Sequence, residues 1–199
     1  MELNAIADFL FEVGMLKRTP RSGFQFLGTG RETVAEHSLR CAVIGYVLAR
    51  MSGKLATDRV VFMCLFHDLT EARTGDLNYV NKKYVKADEE AAVRDMTADL
   101  PFGEEIRGLT EEFNLGSTAE ADCAHDADQL EMILQLKELG DLGNRYCLQW
   151  IATAVKRLRT DDGRRLARSI LNTDFSGWWF KEKENGWWVN AQRPELSEK

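Results

Sequence analysis

The chain has 199 residues, 44% of them hydrophobic and 29% charged, which excludes a wholly disordered polypeptide and suits one compact domain with room for an appendage. A net charge of −6 argues against a nucleic-acid polymer as partner; an anionic small molecule would need local positive charge from a metal or from arginines. Three prolines exclude a Pro-rich or collagen-like chain.

The N-terminal stretch MELNAIADFLFEVGML carries acids where a secretory signal needs positive charge. Apolar residues at Leu3, Ile6, Ala7, Leu10, Val13 and Leu16 predict a helix over about residues 2–15. Residues 17–31, with Pro20, Gly23, Gly28 and Gly30, read as irregular. A second helix is expected over about 34–51, ended by Ser52-Gly53, and a third over about 59–73 with Asp58 as its N-cap. That third helix opens on Val60 to Phe66, the longest uninterrupted apolar run. The run is too short to cross a bilayer, and a helix apolar on every face belongs in the middle of a bundle. Gly75 breaks it, and a loop through GDLNYVNKKYV follows.

Further helices are expected over about 86–99, 103–113, from a Ser117 cap to about 139, 144–159 and 161–172. No strand pattern of useful length interrupts them, so the fold class is all-α: a compact helical bundle with a buried metal site. The composition divides the chain into a domain at 1–172 and a Trp-rich extension at 173–199 holding Trp178, Trp179, Trp187 and Trp188, an aromatic cluster expected to cover the bundle or a partner subunit. Cys41, Cys64, Cys123 and Cys147 form no C-x-x-C pair and are read as reduced thiols of a cytoplasmic protein.

The chemistry is concentrated in few residues. His67 and Asp68 stand together at the end of the most apolar helix, and Glu71 follows at the spacing that shares their face. An imidazole and two carboxylates there are expensive to desolvate, and a divalent cation is the economical compensation. His37 lies on the apolar row His37, Cys41, Ile44, Gly45, Leu48, and Asp128 on the row Ala124, Asp128, Met132, Leu136. A carboxylate inside an apolar row needs a partner, whereas Asp122 and Asp126 point elsewhere on that helix and need none. Four polar anomalies on three core helices are hard to explain separately, so His37, His67, Asp68 and Asp128 are read as metal ligands. His125 is read as a structural histidine beside the site.

These residues carry a resemblance. The order His37, then His67-Asp68, then Asp128 resembles the HD-domain metal-dependent phosphohydrolases. The phrases VAEHSLR, HDLTEARTGD and DADQLEMILQLKEL are similar to those of the 5′-deoxynucleotidase subfamily, bacterial and eukaryotic, over about residues 5–160. The resemblance implies a phosphomonoesterase acting on (deoxy)nucleoside 5′-monophosphates, working as a homodimer. It implies one divalent ion, and a set of two His and two Asp suits Mn, Co, Fe, Ni or Mg better than a closed structural zinc. Glu71 would orient or deprotonate the attacking water. Asp76, in the TGD turn, is the second carboxylate in a family-like position: an acid/base, a group that binds sugar or a second metal, or a simple capping or turn residue after Gly75.

Arg18 matches a phosphate-contacting arginine of the subfamily; Arg40 and Arg31 are further candidates. The bacterial members tend to carry Trp next to that arginine, a residue thought to meet the sugar, where this chain has Thr19. Lys82, Lys83 and Lys86 would draw in an anion or simply be solvated. Rival readings are a cyclic-nucleotide or guanosine-tetraphosphate hydrolase, and a metal- and nucleotide-binding sensor without turnover. The tetraphosphate hydrolases tend to have an acid after the glutamate where this chain has Ala72.

Overall fold

A computed structural model describes residues 3–181 and 189. Among the described residues the elements are helical: α1 (Leu3–Val13), α2 (Phe24–Leu27), α3 (Val34–Ser52), α4 (Thr57–Phe66), α5 (Glu71–Thr74), α6 (Glu89–Thr97), α7 (Gly103–Leu115), α8 (Ala119–Asp141), α9 (Cys147–Ala154), α10 (Asp161–Leu171) and α11 (Gly177–Phe180). The all-α expectation holds. No described helix is long and apolar enough to cross a membrane.

The two longest helices are fixed by their first turns. Before α3, the Thr33 hydroxyl accepts from the Glu36 amide at 3.3 Å while the Thr33 amide donates to Glu36 Oε2 at 2.7 Å, a reciprocal cap. Before α8 the cap is Thr118, whose Oγ1 accepts from the Ala121 amide at 3.1 Å, one residue beyond the expected Ser117. The row expected on α3 is buried as a unit: His37, Cys41, Ile44, Gly45 and Leu48. A Cβ on Gly45 would stand 2.7 Å from Cys64 Sγ, so α3 and α4 approach through a side chain that is missing.

The third helix departs from expectation in two ways. It starts at Thr57 without a side-chain cap, so Asp58 lies in its first turn. It also stops at Phe66. Residues 67–70 tighten into a turn, with Leu69 N donating to Phe66 O at 3.1 Å and Glu71 N to Asp68 O at 3.1 Å, before the short α5. Nor is α4 buried all round. Val60, Met63 and Cys64 are fully buried against α3 and α8, while Phe62 is 43% exposed.

The main core lies between α3, α4, α8 and α10, a second cluster lies under α1, α6 and α7, and a third joins Leu27, Leu136, Cys147 and Ile151. The four cysteines are free and buried. In the described part of the extension, α11 leaves Trp178 exposed and Trp179 half-exposed; Trp187 and Trp188 lie outside the described residues.

Candidate metal centre

The four side chains singled out in the sequence converge. His37 Nε2 lies 3.3 Å from His67 Nε2, 3.2 Å from Asp128 Oδ1 and 3.6 Å from Asp68 Oδ2; His67 Nε2 lies 3.2 Å from Asp68 Oδ2 and 4.0 Å from Asp128 Oδ1. α3 supplies His37, the turn after α4 supplies the His-Asp pair, and α8 supplies Asp128.

The other ring nitrogens show what these atoms present to one another. His67 Nδ1 meets the Cys64 carbonyl at 2.9 Å, and His37 Nδ1 meets Glu131 Oε2 at 2.7 Å. Both partners accept, so both Nδ1 atoms carry a proton, and in the neutral rings both Nε2 atoms present lone pairs. Two imidazole lone pairs and two carboxylates then face a single point. Such an arrangement is stable only around positive charge, and the donors and their spacing fit one divalent ion. Without an ion, protons serve instead: burial and Arg21 oppose a charge on His37, but hydrogen bonds to Asp128 and Glu131 push its pKa up to about 10. Burial likewise works against the carboxylates of Asp68 and Asp128, yet the histidines and Arg21 hold both well below the usual range.

Cys41 also approaches His37 and His67, and Glu32 and Glu131 form a second buried group with His37. The Cys41 thiol is fully buried in the core, and burial and Cys64 raise it well above its ordinary pKa. Glu131 orients the ring of His37 through Nδ1. Its other oxygen accepts from Arg40 Nε at 2.8 Å and Nη2 at 2.6 Å, and Arg40 continues to Glu138 at 2.8 Å.

Beside these four side chains lies a cavity of about 280 Å³. Arg21, Asp68, Glu71, Asp76, Asp128 and Gln129 are among the polar residues that line it, and Phe24, Met132, Leu136 and Trp150, which belong to one apolar cluster, line it as well. Arg21 reaches it because the loop before α3 folds back, with Arg21 N donating to Glu32 O at 2.9 Å and Val34 N to Thr19 O at 3.0 Å. The Arg21 guanidinium donates to Asp68 Oδ2 at 2.9 Å. Glu71 shares the cavity with Asp68 because residues three apart eclipse in the tight turn. Glu71 Oε2 is buried without a partner among the described residues, and burial, with Asp68 and Asp76 nearby, pushes its pKa up to about 8. Asp76 Oδ2 accepts from the Ser22 amide at 2.6 Å and the Ser22 hydroxyl at 3.1 Å, so this carboxylate faces the cavity and also ties down its rim.

Other sequence expectations fare differently. Arg18 is exposed on the turn after α1, opposite the buried Leu16, and takes no part in lining the cavity; Arg21 is the guanidinium that does. Arg40 is likewise absent from the lining, because its donors are committed to Glu131 and Glu138. Arg31 is exposed. Of the three lysines only Lys82 reaches the cavity rim. Thr19 bonds back to the Met15 carbonyl at 3.2 Å, outside the cavity. His125 stacks on Phe113 at 4.0 Å and pairs with its carbonyl at 2.7 Å, as expected of a structural histidine.

Asp126 contradicts its reading. It is fully buried, and its carboxylate accepts from the Arg159 amide at 2.7 Å and from the Thr160 amide and hydroxyl at 2.9 and 2.6 Å. Arg21 and Glu131 were missed outright. Glu131 had a legible signal, since it lies three residues after Asp128 on the same helix face.

An all-helical bundle that gathers two imidazoles and two aspartates beside a polar cavity defines a metal centre of the HD type. The chain belongs to the HD domain family, whose model matches residues 13–166. It is 36% identical over 147 residues to human 5′-deoxynucleotidase HDDC2, an alignment covering 71% of each chain. It is 33% identical over 144 residues to the 5′-deoxynucleotidase of Vibrio cholerae, covering 64% of this chain and 70% of that one. Among solved structures it resembles a conserved hypothetical protein from Pyrococcus furiosus, with a TM-score of 0.70, 27% identity, and 84% of this chain and 99% of that one covered. It also resembles a protein described as a predicted metal-dependent phosphohydrolase from Magnetospirillum magnetotacticum, with a TM-score of 0.67, 25% identity, and 85% and 91% covered.

Proposed function

We propose that this protein is a metal-dependent phosphomonoesterase that hydrolyses (deoxy)nucleoside 5′-monophosphates to nucleoside and phosphate. The observation that carries the reading is the meeting of the four acceptors of His37, His67, Asp68 and Asp128 beside a cavity that also holds Arg21 and Glu71. Its named relatives act in the same sense.

Those four residues would hold one divalent ion, from the series Mn, Co, Fe, Ni or Mg, which supplies Lewis-acid polarisation of a phosphate oxygen. The chain's own residues do the rest. Arg21 holds the phosphate, a task that suits a planar guanidinium, and takes the part that the sequence offered to Arg18. Glu71, near neutrality in its titration, accepts the proton of the attacking water. As water adds to phosphorus the bond to O5′ breaks, and the proton that Glu71 took from the water passes to the leaving oxygen. Asp76, steadied by Ser22, is the second carboxylate within reach of that exchange.

The catalytic domain is assigned to residues 1–172 and the remainder to an extension. A homodimer is favoured by the exposed row Leu39, Val43, Tyr46 and Val47 along α3, at helical spacing, with Phe62 and Leu65 of α4 beside it. A cytoplasmic location is supported by four free thiols.

The test is phosphate release from a panel of mono-, di-, tri- and cyclic nucleotides and guanosine tetraphosphate, after chelation and addition of single metals. Metal-dependent release confined to 5′-monophosphates, and lost in Asp68→Ala, is expected. Turnover of another nucleotide class, or none at all, would overturn the assignment.

A further inference from the structure

A second cavity, of about 210 Å³, adjoins the one at the metal centre. Tyr79, Met132, Trp150, Thr153, Ala154 and Arg157 line it, and Tyr79, Met132 and Trp150 line both. The two are thus compartments of one recess. Met132 stands four residues after Asp128, on the same face of α8 and roughly 6 Å along the axis at 1.5 Å per residue. Trp150, on α9, meets Phe26 edge to face with ring centroids 6.4 Å apart. Arg157 ends the tight turn, residues 155–157, that follows α9.

The recess holds two guanidinium groups in different states. Arg21 is bound to Asp68. Arg157 is exposed and meets no carboxylate among the described residues, and no acid among them lines its compartment. It lies over the Tyr79 ring, 5.0 Å from the centroid, and its Nη1 donates to the Tyr79 hydroxyl. That contact steadies the group and occupies one nitrogen. Nε and Nη2 keep their protons free of any acceptor among the described residues. They are the pair with which Arg40 grips Glu131, two donors on one side of the plane that suit two adjacent acceptors. Thr153 adds no donor, because its hydroxyl is given to the Gln149 carbonyl at 3.3 Å.

The occupant follows from the layout, with the phosphatase reading above as its basis. Phosphate goes to the four converging side chains and Arg21. A nucleoside 5′-monophosphate reaches further, from phosphorus to the outer edge of its base, than the single helical turn between Asp128 and Met132. The outer edge of the base therefore falls in the second compartment, where Trp150 and Met132 offer apolar contact. A 6-oxopurine presents O6 and N7 there as adjacent acceptors. Adenine presents N7 beside an amino donor, which opposes a guanidinium.

We infer that Arg157 is a specificity-determining residue whose Nε and Nη2 donate to O6 and N7 of the base. The site then favours the 5′-monophosphates of guanine and hypoxanthine nucleosides over that of adenine.

The experiment compares 2′-deoxyinosine and 2′-deoxyadenosine 5′-monophosphates, whose bases differ in the group at C6 and the proton at N1. It uses the wild type, Arg157→Leu and Arg157→Lys. The wild type is expected to favour the inosine nucleotide by about 5-fold or more in kcat/KM, the low end for a bidentate contact to a base because the compartment is open to water. Arg157→Leu is expected to bring the ratio close to one. Arg157→Lys keeps the charge without the fork and should do nearly the same. In the wild type, 7-deaza-2′-deoxyguanosine 5′-monophosphate, which lacks N7 and keeps O6, should fall behind the guanine nucleotide. Equal turnover of the inosine and adenosine nucleotides by the wild type, or a preference for adenine, overturns the inference and leaves the phosphatase reading standing. A ratio retained in Arg157→Leu also overturns it, because Arg157 would then act only through Tyr79. A ratio fully retained in Arg157→Lys overturns the paired contact. Release of phosphate from neither nucleotide overturns both readings. The wild-type comparison decides even if a variant does not fold.

Discussion

His37 Nδ1 lies 2.7 Å from Oε2 of Glu131, a carboxylate whose side chain is only 1% exposed. This bond sets the tautomer in which His37 turns Nε2 toward His67, Asp68 and Asp128, and Arg40 holds the same carboxylate from behind. Glu131→Ala should therefore weaken metal affinity by about 10- to 100-fold, the usual cost of losing a group that orients a ligating histidine. Arg40→Leu should weaken it in the same direction and leave KM unchanged at saturating metal. Competition against a chelator measures the first quantity, and steady-state kinetics the second. A raised KM in Arg40→Leu would return Arg40 to the substrate site.

Removing the ion should cost stability as well as activity. Without an ion, only protons on the histidines and the Arg21 guanidinium offset the charges of Asp68 and Asp128, and the four side chains are brought together only by the fold, so binding to the folded chain is coupled to folding. Metal at 100 times its dissociation constant should stabilise the protein by about 2.7 kcal/mol. Thermal unfolding before and after chelation measures this, and the difference should vanish in Asp68→Ala.

Glu71 gives the activity a definite pH dependence. As a base it works only when ionised, and its pKa is pushed up to about 8 by burial and by Asp68 and Asp76. A bound cation lowers that value. The acidic limb of kcat/KM should thus rise with pH between the ordinary carboxylate range and about 8, and Glu71→Gln should lose about 100-fold or more in rate while keeping its metal. Stability runs the opposite way. A carboxyl raised above its unfolded value leaves the native state holding more protons, so stability falls as pH rises from about 4.5 toward 8. Denaturant midpoints across that window should be flatter for Glu71→Gln than for the wild type.

The four converging side chains were legible because each breaks an apolar pattern: His37 and Asp128 interrupt apolar rows, and His67-Asp68 closes the most apolar run. What failed to show were groups whose position depends on tertiary folding. Arg18 and Arg21 look alike in MLKRTPRSG, and only the fold of that loop onto the first turn of α3 decides which guanidinium enters the cavity. The end of the third helix was also hidden. Nothing local in HDLTEART stops a helix, yet the tightened turn at 67–70 is what places Asp68 and Glu71 together. Glu131 did carry a local signal, its place three residues after Asp128 on one helix face, but the long helix holds many other acids and the signal went unused.

Asp126 shows most sharply how a helical pattern misleads. It lies two residues before Asp128, but its carboxylate serves the other side of α8, where it receives three hydrogen bonds from Arg159 and Thr160 just before α10. The packing there is close: a Cβ on Gly163 would meet Asp126 Oδ2 at 2.2 Å. Asp126→Ala strands two backbone amides in a buried position and should destabilise the protein by about 3 kcal/mol, with Asp126→Asn costing less because one oxygen still accepts. Asp126 does not line the cavity, and its hydrogen bonds run to Arg159 and Thr160 rather than to the four converging side chains. Denaturant unfolding should show the loss, while metal affinity and KM, measured well below the unfolding temperature, should match the wild type. A change in metal affinity instead would mean that α8 does not hold Asp128 independently of its anchor on α10.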